Sequence, residues 1–465
     1  MLRLLGCVFL SALPLVAGGA AATAPEAIVL VTGDMHSAYD RTAQFVARID
    51  RIKTENPGVP LAVLIDGDTF ELGNAVARRS EGAIEFAMFA ALAKRGPTVL
   101  NLGNHEPEFF DLAETVARVR ATGVAVVGGN ALDKATGKPF AAASTRVKLG
   151  AHDAVVVGIV TDRLATFRVA VRPSLDLADP VVWAKRNLAA LLRERGPPAR
   201  PEAEAGGTPA LPILLTHAGL KADRAILPLV PDGTLFAGAH DHLRFVHREG
   251  RTVYFHSGSW TEFVSIARLQ RTADGVRWDV EQERITPDDP ADPPLAALVG
   301  EILKKHLTAE ETAIVGRTTR ALGPTAAALF AVDAARLAAG AEAALIGATT
   351  FGAGLPAGDV SRFALDACVR FDGTLYTAEV GGAWLKKLLA RANQGPDTPF
   401  AERAGENLVA VAPASIEPTR HYRFVTTDWV AKNAKTYLGE DAPALTEQPA
   451  LKLRAAVVKA LSVAQ

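Results

Sequence analysis

The chain has 465 residues, 49% of them hydrophobic and only 6% aromatic, with a formal net charge of −1. That length exceeds one ordinary domain and supplies large aliphatic cores. The charge balance argues against a nucleic-acid-binding surface or a polybasic membrane anchor.

The first residues, "MLRLLGCVFLSALPLVAGGAAATAPEA", carry one early arginine, an apolar run over 4–17, then small residues. The pattern predicts a secretory leader over residues 1–24, with an apolar core too short to span a bilayer stably. Only Cys7 and Cys368 exist. Removal of the leader would leave one cysteine and no internal disulfide, so stability must come from packing. The expected destination is the periplasm or the exterior.

Short apolar runs then alternate with amphipathic patterns. Strands are expected at 27–32, 61–65, 98–102, 124–127, 154–161, 211–215 and 234–237, with helices in "RTAQFVARIDRI", "IEFAMFAALAKR" and "PVVWAKRNLAALLRER". This is the rhythm of an α/β domain. "RTVYFHSGSWTEFVSIARLQ" followed by "VRWDVEQERI" reads as a hairpin-rich antiparallel edge. Residues 195–212 are rich in Pro, Gly and Ala without periodicity, a loop composition. "ITPDDPADPPL" (285–295) reads as a linker, followed by a helical stretch and a smaller α/β unit from about residue 313.

Polar residues recur where the strands end. Asp34 and His36 follow the first strand, Asp68 the second, and Asn104 and His105 the third; His217 ends "ILLTHAG", and His240 and His242 close "FAGAHDH". Singly, each has an ordinary structural explanation. Five separate strand ends delivering metal-capable side chains do not, because α/β sheets place ligand sites at carboxyl ends. Imidazole and carboxylate ligands together suit borderline divalent ions such as Zn, Mn or Fe. Two Asp, one Asn and four His are too many for one tetrahedral ion and enough for two ions sharing a carboxylate.

The ordered set Asp-x-His, Gly-Asp, Gly-Asn-His-Glu, His and Gly-x-His-x-His resembles the calcineurin-like metallophosphoesterases. Over its full length the chain is similar to the bacterial periplasmic 5′-nucleotidases. The resemblance implies a four-layer α/β/β/α sandwich over 25–284, a linker and linker helix over 285–312, and a smaller C-terminal α/β substrate domain over 313–465. It implies that Asp34, His36 and His242 hold one metal, that Asn104, His217 and His240 hold the other, and that Asp68 bridges them. His105 matches the family's catalytic histidine, with Glu108 standing where relatives carry an orienting Asp and Asp111 as the other candidate partner. The implied activity is hydrolysis of small-molecule phosphate esters by direct attack of a metal-bound hydroxide, with two divalent ions, no nucleic-acid polymer and no obligate protein partner.

The C-terminal half departs from the pattern where nucleotide contacts would lie. Relatives read Asn-x-Gly-Gly-Ile-Arg in the substrate loop, whereas this chain reads "GATTFG" from Gly347 to Gly352. Relatives carry Gly-Gly-Asp-Gly-Tyr near the end, whereas "KNAKTY" puts Lys435 at the Asp. Phe400 and Trp429 lie about where base-stacking rings would be. Three other readings therefore stand beside a 5′-nucleotidase: a phosphodiesterase or phosphatase for a non-nucleotide ester, a thiosulfohydrolase-like enzyme, and a non-catalytic metal-binding protein.

Overall fold

The structure, a computed structural model, describes residues 24–193, 210–273, 275–405 and 407–463. The leader reading and nearly all of the Pro/Gly-rich stretch 195–212 fall outside these residues.

Among the described residues, fourteen strands build the first unit, beginning with β1 (Ala27–Gly33), β2 (Leu61–Asp66), β3 (Thr98–Asn101), β4 (Ala125–Val127), β5 (Ala131–Asp133), β6 (Ser144–Leu149) and β7 (His152–Val160). They continue with β8 (Leu175–Leu177), β9 (Leu211–His217), β10 (Leu235–Gly238), β11 (Arg244–Glu249), β12 (Thr252–Ser257), β13 (Phe263–Thr272) and β14 (Gly275–Arg284). Two six-stranded sheets form, ordered β14-β13-β1-β2-β3-β4 and β11-β12-β10-β9-β7-β6, while β5 and β8 pair by themselves.

The near-continuous apolar runs of the central strands follow from burial on both faces. In β1, Val29 and Val31 face the second sheet and pack with Val156, Ile213, Leu215 and Phe255. Ile28 and Leu30 point the other way, onto Phe45 and Ile49 of the helix Thr42–Glu55 and Met88 and Leu92 of the helix Ala83–Ala93. On the far side, Val155, Val157 and Leu214 pack against Ala184, Leu188 and Leu220. The layers therefore run helix, sheet, sheet, helix.

One expectation changes. The segment 251–270 is not a single antiparallel edge. β12 lies in the second sheet, parallel to β10 and antiparallel to β11, while β13 and β14 form a hairpin at the edge of the first. The chain crosses between sheets at residues 258–261, where Gly258, Trp260 and Thr261 all have positive φ. Apolar periodicity cannot distinguish two strands of one sheet from two strands of facing sheets.

The helix Pro293–His306 buries Leu295, Val299 and Ile302 in the first unit's helical layer. Beyond it come β15 (Ile314–Thr318), β16 (Ala343–Gly347), β17 (Gly358–Ser361), β18 (Thr374–Gly381), β19 (Leu408–Val411), β20 (His421–Thr427) and β21 (Thr446–Lys452). Five of these make a sheet ordered β19-β16-β20-β18-β21. The helices Pro324–Ala338 and Leu453–Val463 cover one face and Gly382–Leu389 the other. Among the described residues, no helix is long and apolar enough to cross a membrane.

Candidate metal centre

Parallel pairing brings the strand ends together. Gly33 lies beside Asp66 and Asp66 beside Asn101 in one sheet, and Thr216 beside Gly238 in the other. The loops after these strands carry Asp34, His36, Asp68, Asn104, His240 and His242, and the last residue of β9 carries His217, into one largely buried cluster. Ligand-capable atoms of Asp34, His36 and His242 converge, as do those of Asp68, His217 and His240.

The spacings are those of donors aimed at a common point. His36 Nε2 and His242 Nε2 face each other at 3.0 Å, with Asp34 Oδ1 at 3.9 and 3.7 Å from them. Atoms that bind one ion at about 2.0–2.2 Å stand roughly 3–4 Å apart. Asp68 lies between the groups: Oδ2 is 3.0 Å from His217 Nε2 and 4.0 Å from His36 Nε2, while Oδ1 accepts from the His105 backbone N–H at 2.8 Å. Asn104 turns its Nδ2 toward the Thr166 carbonyl at 3.4 Å, leaving Oδ1 buried without a hydrogen-bond partner. An orphaned amide oxygen beside converging imidazoles fits a cation, the one partner that would satisfy all of them.

Burial keeps most of the imidazoles in the neutral, ligating form. It pushes His36 down to about 4, His240 down to about 3 and His242 well below its usual value. His217 differs: burial again pushes it down, but Asp68 and Asp34 outweigh that and hold it well above. A divalent ion would replace the proton those carboxylates favour.

The backbone is strained at the same positions. Asp34, His36, Asp68, His240 and His242 all have φ between +47° and +83°. Such conformations cost on the order of 1–3 kcal/mol each for residues other than glycine. Glycine itself appears where a side chain cannot fit: a Cβ on Gly67, at φ +71°, would sit 2.5 Å from His217 Nδ1. His217 Nδ1 lies 2.8 Å from the Asp66 carbonyl, a contact that leaves Nε2 facing the cluster.

Pro107 occupies a single 3₁₀ turn, Glu106–Glu108, that starts from His105. Pro107 itself departs from helical values, at φ −86° and ψ +38°, and across this kinked turn Glu108 Oε1 comes to 2.6 Å from His105 Nδ1. Burial pushes His105 down, yet Asp68, Glu108 and Glu71 overcome this and raise it to about 9. Asp111 is elsewhere, capping the helix Leu112–Ala121 through the Glu114 N–H.

Glu106 and Glu71 were not foreseen as site residues. Glu106 accepts backbone N–H groups from Asp68, Thr69 and Gly103 at 3.0, 2.9 and 2.6 Å, tying the loop after β2 to the loop after β3. Its place in the Gly-Asn-His-Glu run was the available signal. Glu71 Oε2 lies 3.4 Å from His36 Nδ1 and is salt-bridged to Arg370 of the second unit. No local pattern reveals that pair.

The three candidate substrate residues lie apart from the cluster. Phe400 stacks on His247 at 4.0 Å between centroids, with Arg224 over its ring. Trp429 is half exposed and donates to the Tyr437 hydroxyl at 3.2 Å. Lys435 is exposed and pairs with Glu440 at 2.9 Å.

Residues 28–147 match the family model of the calcineurin-like phosphoesterases, and residues 305–440 match that of the 5′-nucleotidase C-terminal domain. His217, His240 and His242 lie beyond the first match, and the second begins within the stretch read as linker. Among solved structures the chain is similar to a 5′-nucleotidase precursor from Thermus thermophilus, at 16% identity over 94% of this chain and 96% of that one, TM-score 0.57. It is similar to the sulfate thiohydrolase SoxB of Thermus thermophilus, at 14% identity over 96% and 95%, TM-score 0.60. It is also similar to a 5′-nucleotidase from Candida albicans, at 13% identity over 95% and 99%, TM-score 0.57. At these identities the likeness is one of fold. Among curated proteins no sequence matches it.

Proposed function

We infer the reaction from one premise: the chain belongs to the calcineurin-like metallophosphoesterases and carries a 5′-nucleotidase C-terminal domain, which makes it a metal-dependent phosphoester hydrolase. Asp34, His36 and His242 would hold one divalent ion, Asn104, His217 and His240 a second, and Asp68 would touch both. Two such ions would bring the pKa of water to about 7 and neutralise charge gathering on phosphorus.

The chain's own residues do the rest. Glu108, 2.6 Å from His105 Nδ1, fixes that nitrogen as the protonated one and turns Nε2 toward the cluster. There His105 Nε2 steadies the phosphate and hands a proton to the departing oxygen. No Ser or Cys nucleophile is needed, and the one described cysteine, Cys368, is buried with its thiol pushed up to about 12. We read 25–284 as the hydrolytic domain, 285–312 as linker and 313–465 as the substrate domain, in a protein exported to the periplasm or beyond.

The observation that carries this reading is the His105–Glu108 pair beside two groups of converging donors, Asp34/His36/His242 and Asp68/His217/His240, with the unpartnered Asn104 Oδ1. Elemental analysis after reconstitution with Mn or Zn should give two ions per chain, and hydrolysis in isotopically labelled water should place one solvent oxygen in the released phosphate. One ion per chain overturns the dinuclear reading, and a trapped phosphoenzyme overturns direct attack.

A further inference from the structure

His36 has two faces. Nε2 looks toward His242 and Asp34, whereas Nδ1 lies 3.4 Å from Glu71 Oε2 and equally 3.4 Å from Arg370 Nη2, so of these two neighbours only the Glu71 carboxylate can accept a proton from it. Glu71 is buried, and its salt-bridge partner Arg370 comes from 299 positions further along the chain.

Arg370 is anchored to the second unit at several points. Its backbone N–H donates to the Thr350 carbonyl at 3.0 Å, and its Nη1 donates to the Thr349 carbonyl at 3.3 Å. Arg454 holds the adjoining backbone through the carbonyls of Val369 and Arg370, at 2.9 and 3.0 Å. The guanidinium lies over the Trp260 ring, and Trp260 in turn stacks on His36. Gly352, two residues after Thr350, lies against both Trp260 and the Ala367 carbonyl: a Cβ there would clash with that carbonyl oxygen and come 2.7 Å from Trp260 Cε2. The turn that carries "GATTFG" thus supports a cation directed at the outer side of a metal-site histidine.

A histidine that binds metal through one nitrogen is held in the right tautomer by an acceptor on the other. We propose that Glu71 is this acceptor for His36 and that Arg370 holds Glu71 in place, so that the C-terminal unit is part of the scaffold of the Asp34–His36–His242 subsite. Glu71 is then a positioning residue and not a ligand, because its Oε2 is committed to Arg370 and lies on the Nδ1 side of the ring. The inference rests on the two-ion reading above, and it makes metal retention at one subsite depend on the second unit being docked.

Removing one partner alone would leave an uncompensated buried charge, so the decisive variant removes both. The metal-free Glu71→Met/Arg370→Met protein should unfold within a few degrees of wild type by calorimetry. Titration with Zn or Mn should show one ion bound as in wild type and the other bound ~10–100-fold more weakly. Repeated in a His217→Ala background, which cripples the other subsite, the change should weaken the remaining ion. Arg370→Lys, which keeps the charge, should lie between. A double variant that binds two ions at wild-type affinity, or loses both equally, overturns the proposal. Wild type binding fewer than two ions at saturation would instead remove the two-ion reading beneath it.

Discussion

Side chains such as Asp34 and His242 hold backbone conformations that glycine would adopt at little cost, and five ligand-capable residues do so within one cluster. Strain of this kind persists where the surrounding fold over-determines it, which is the pattern of functional loops. The residue types were legible in the sequence because motif spacing put them at strand ends; the φ angles were not, since nothing in Asp-x-His distinguishes a relaxed turn from a strained one. The His105–Glu108 pair was legible as a spacing of three, and the 3₁₀ turn around Pro107 gives that spacing its physical meaning. Glu71 with Arg370 lay outside any local reading, because a contact across 299 positions exists only once the two units meet. His105→Ala should retain both ions and slow phosphate-ester turnover by ~10²–10⁴-fold, the usual worth of a positioned proton donor. Glu108→Gln should act in the same direction more weakly, since glutamine keeps an acceptor without the charge. Loss of metal in His105→Ala, or unchanged turnover of an ester with a poor leaving group, would refute this role.

Elements were read from apolar runs, and the central strands came out within a residue or two because burial on both faces makes them almost uniformly apolar. Partition between two facing sheets was not legible, and the crossing at residues 258–261 shows why: β12 and β13 follow each other closely yet belong to different sheets. Between β9 and β12 the second sheet also buries a polar network that no motif announced. Thr216 Oγ1 and the Tyr254 hydroxyl donate to the two oxygens of Asp223 at 2.7 and 2.9 Å, and His256 Nε2 lies 2.8 Å from that hydroxyl and 3.1 Å from Asp223 Oδ2. Burial pushes Asp223 up to about 8, against the pull of its hydroxyl donors. The unfolded carboxyl titrates near ~3.9, so between these values the folded chain keeps a proton that the unfolded chain releases. The stability this contributes is complete below pH ~4 and lost as pH rises through about 8. Asp223→Asn keeps the shape and stays neutral. Its melting temperature should therefore gain on wild type as pH rises from 5 toward 8, with the gap levelling above that. A gap that is constant over this range would show that Asp223 is ionised in the folded protein.

At the scale of the molecule, the two-unit architecture was legible in the family resemblance, whereas the surroundings of the candidate substrate residues exist only in the folded chain. Apart from Trp429, which is half exposed, the positions where the family resemblance places nucleotide contacts are spoken for by the protein itself. Trp260 fills the space a side chain at Gly352 would need, and a Cβ on Gly347 would stand 3.3 Å from the Tyr437 ring. Phe400 spends its faces on His247 and Arg224. Lys435 pairs with Glu440 and, as an ammonium, can only donate, so it cannot accept from a ribose hydroxyl. Arg370, whose Nη2 lies 3.4 Å from His36 Nδ1, is tied to Glu71 and so cannot freely clamp a phosphate. Each missing contact would cost ~1–3 kcal/mol, and two or three together amount to orders of magnitude in nucleotide affinity. The seven candidate ligands all come from the first unit, so these altered contacts leave that set of side chains complete. The expected profile is ready hydrolysis of small aryl phosphates with a high Michaelis constant for 5′-nucleotides. A kinetic panel of aryl phosphates, bis-aryl phosphates, sugar phosphates, cyclic nucleotides, UDP-sugars and AMP tests it directly. Micromolar recognition of AMP would sink the argument, and would mean that Phe400 leaves His247, or Arg370 leaves Glu71, when a nucleotide arrives.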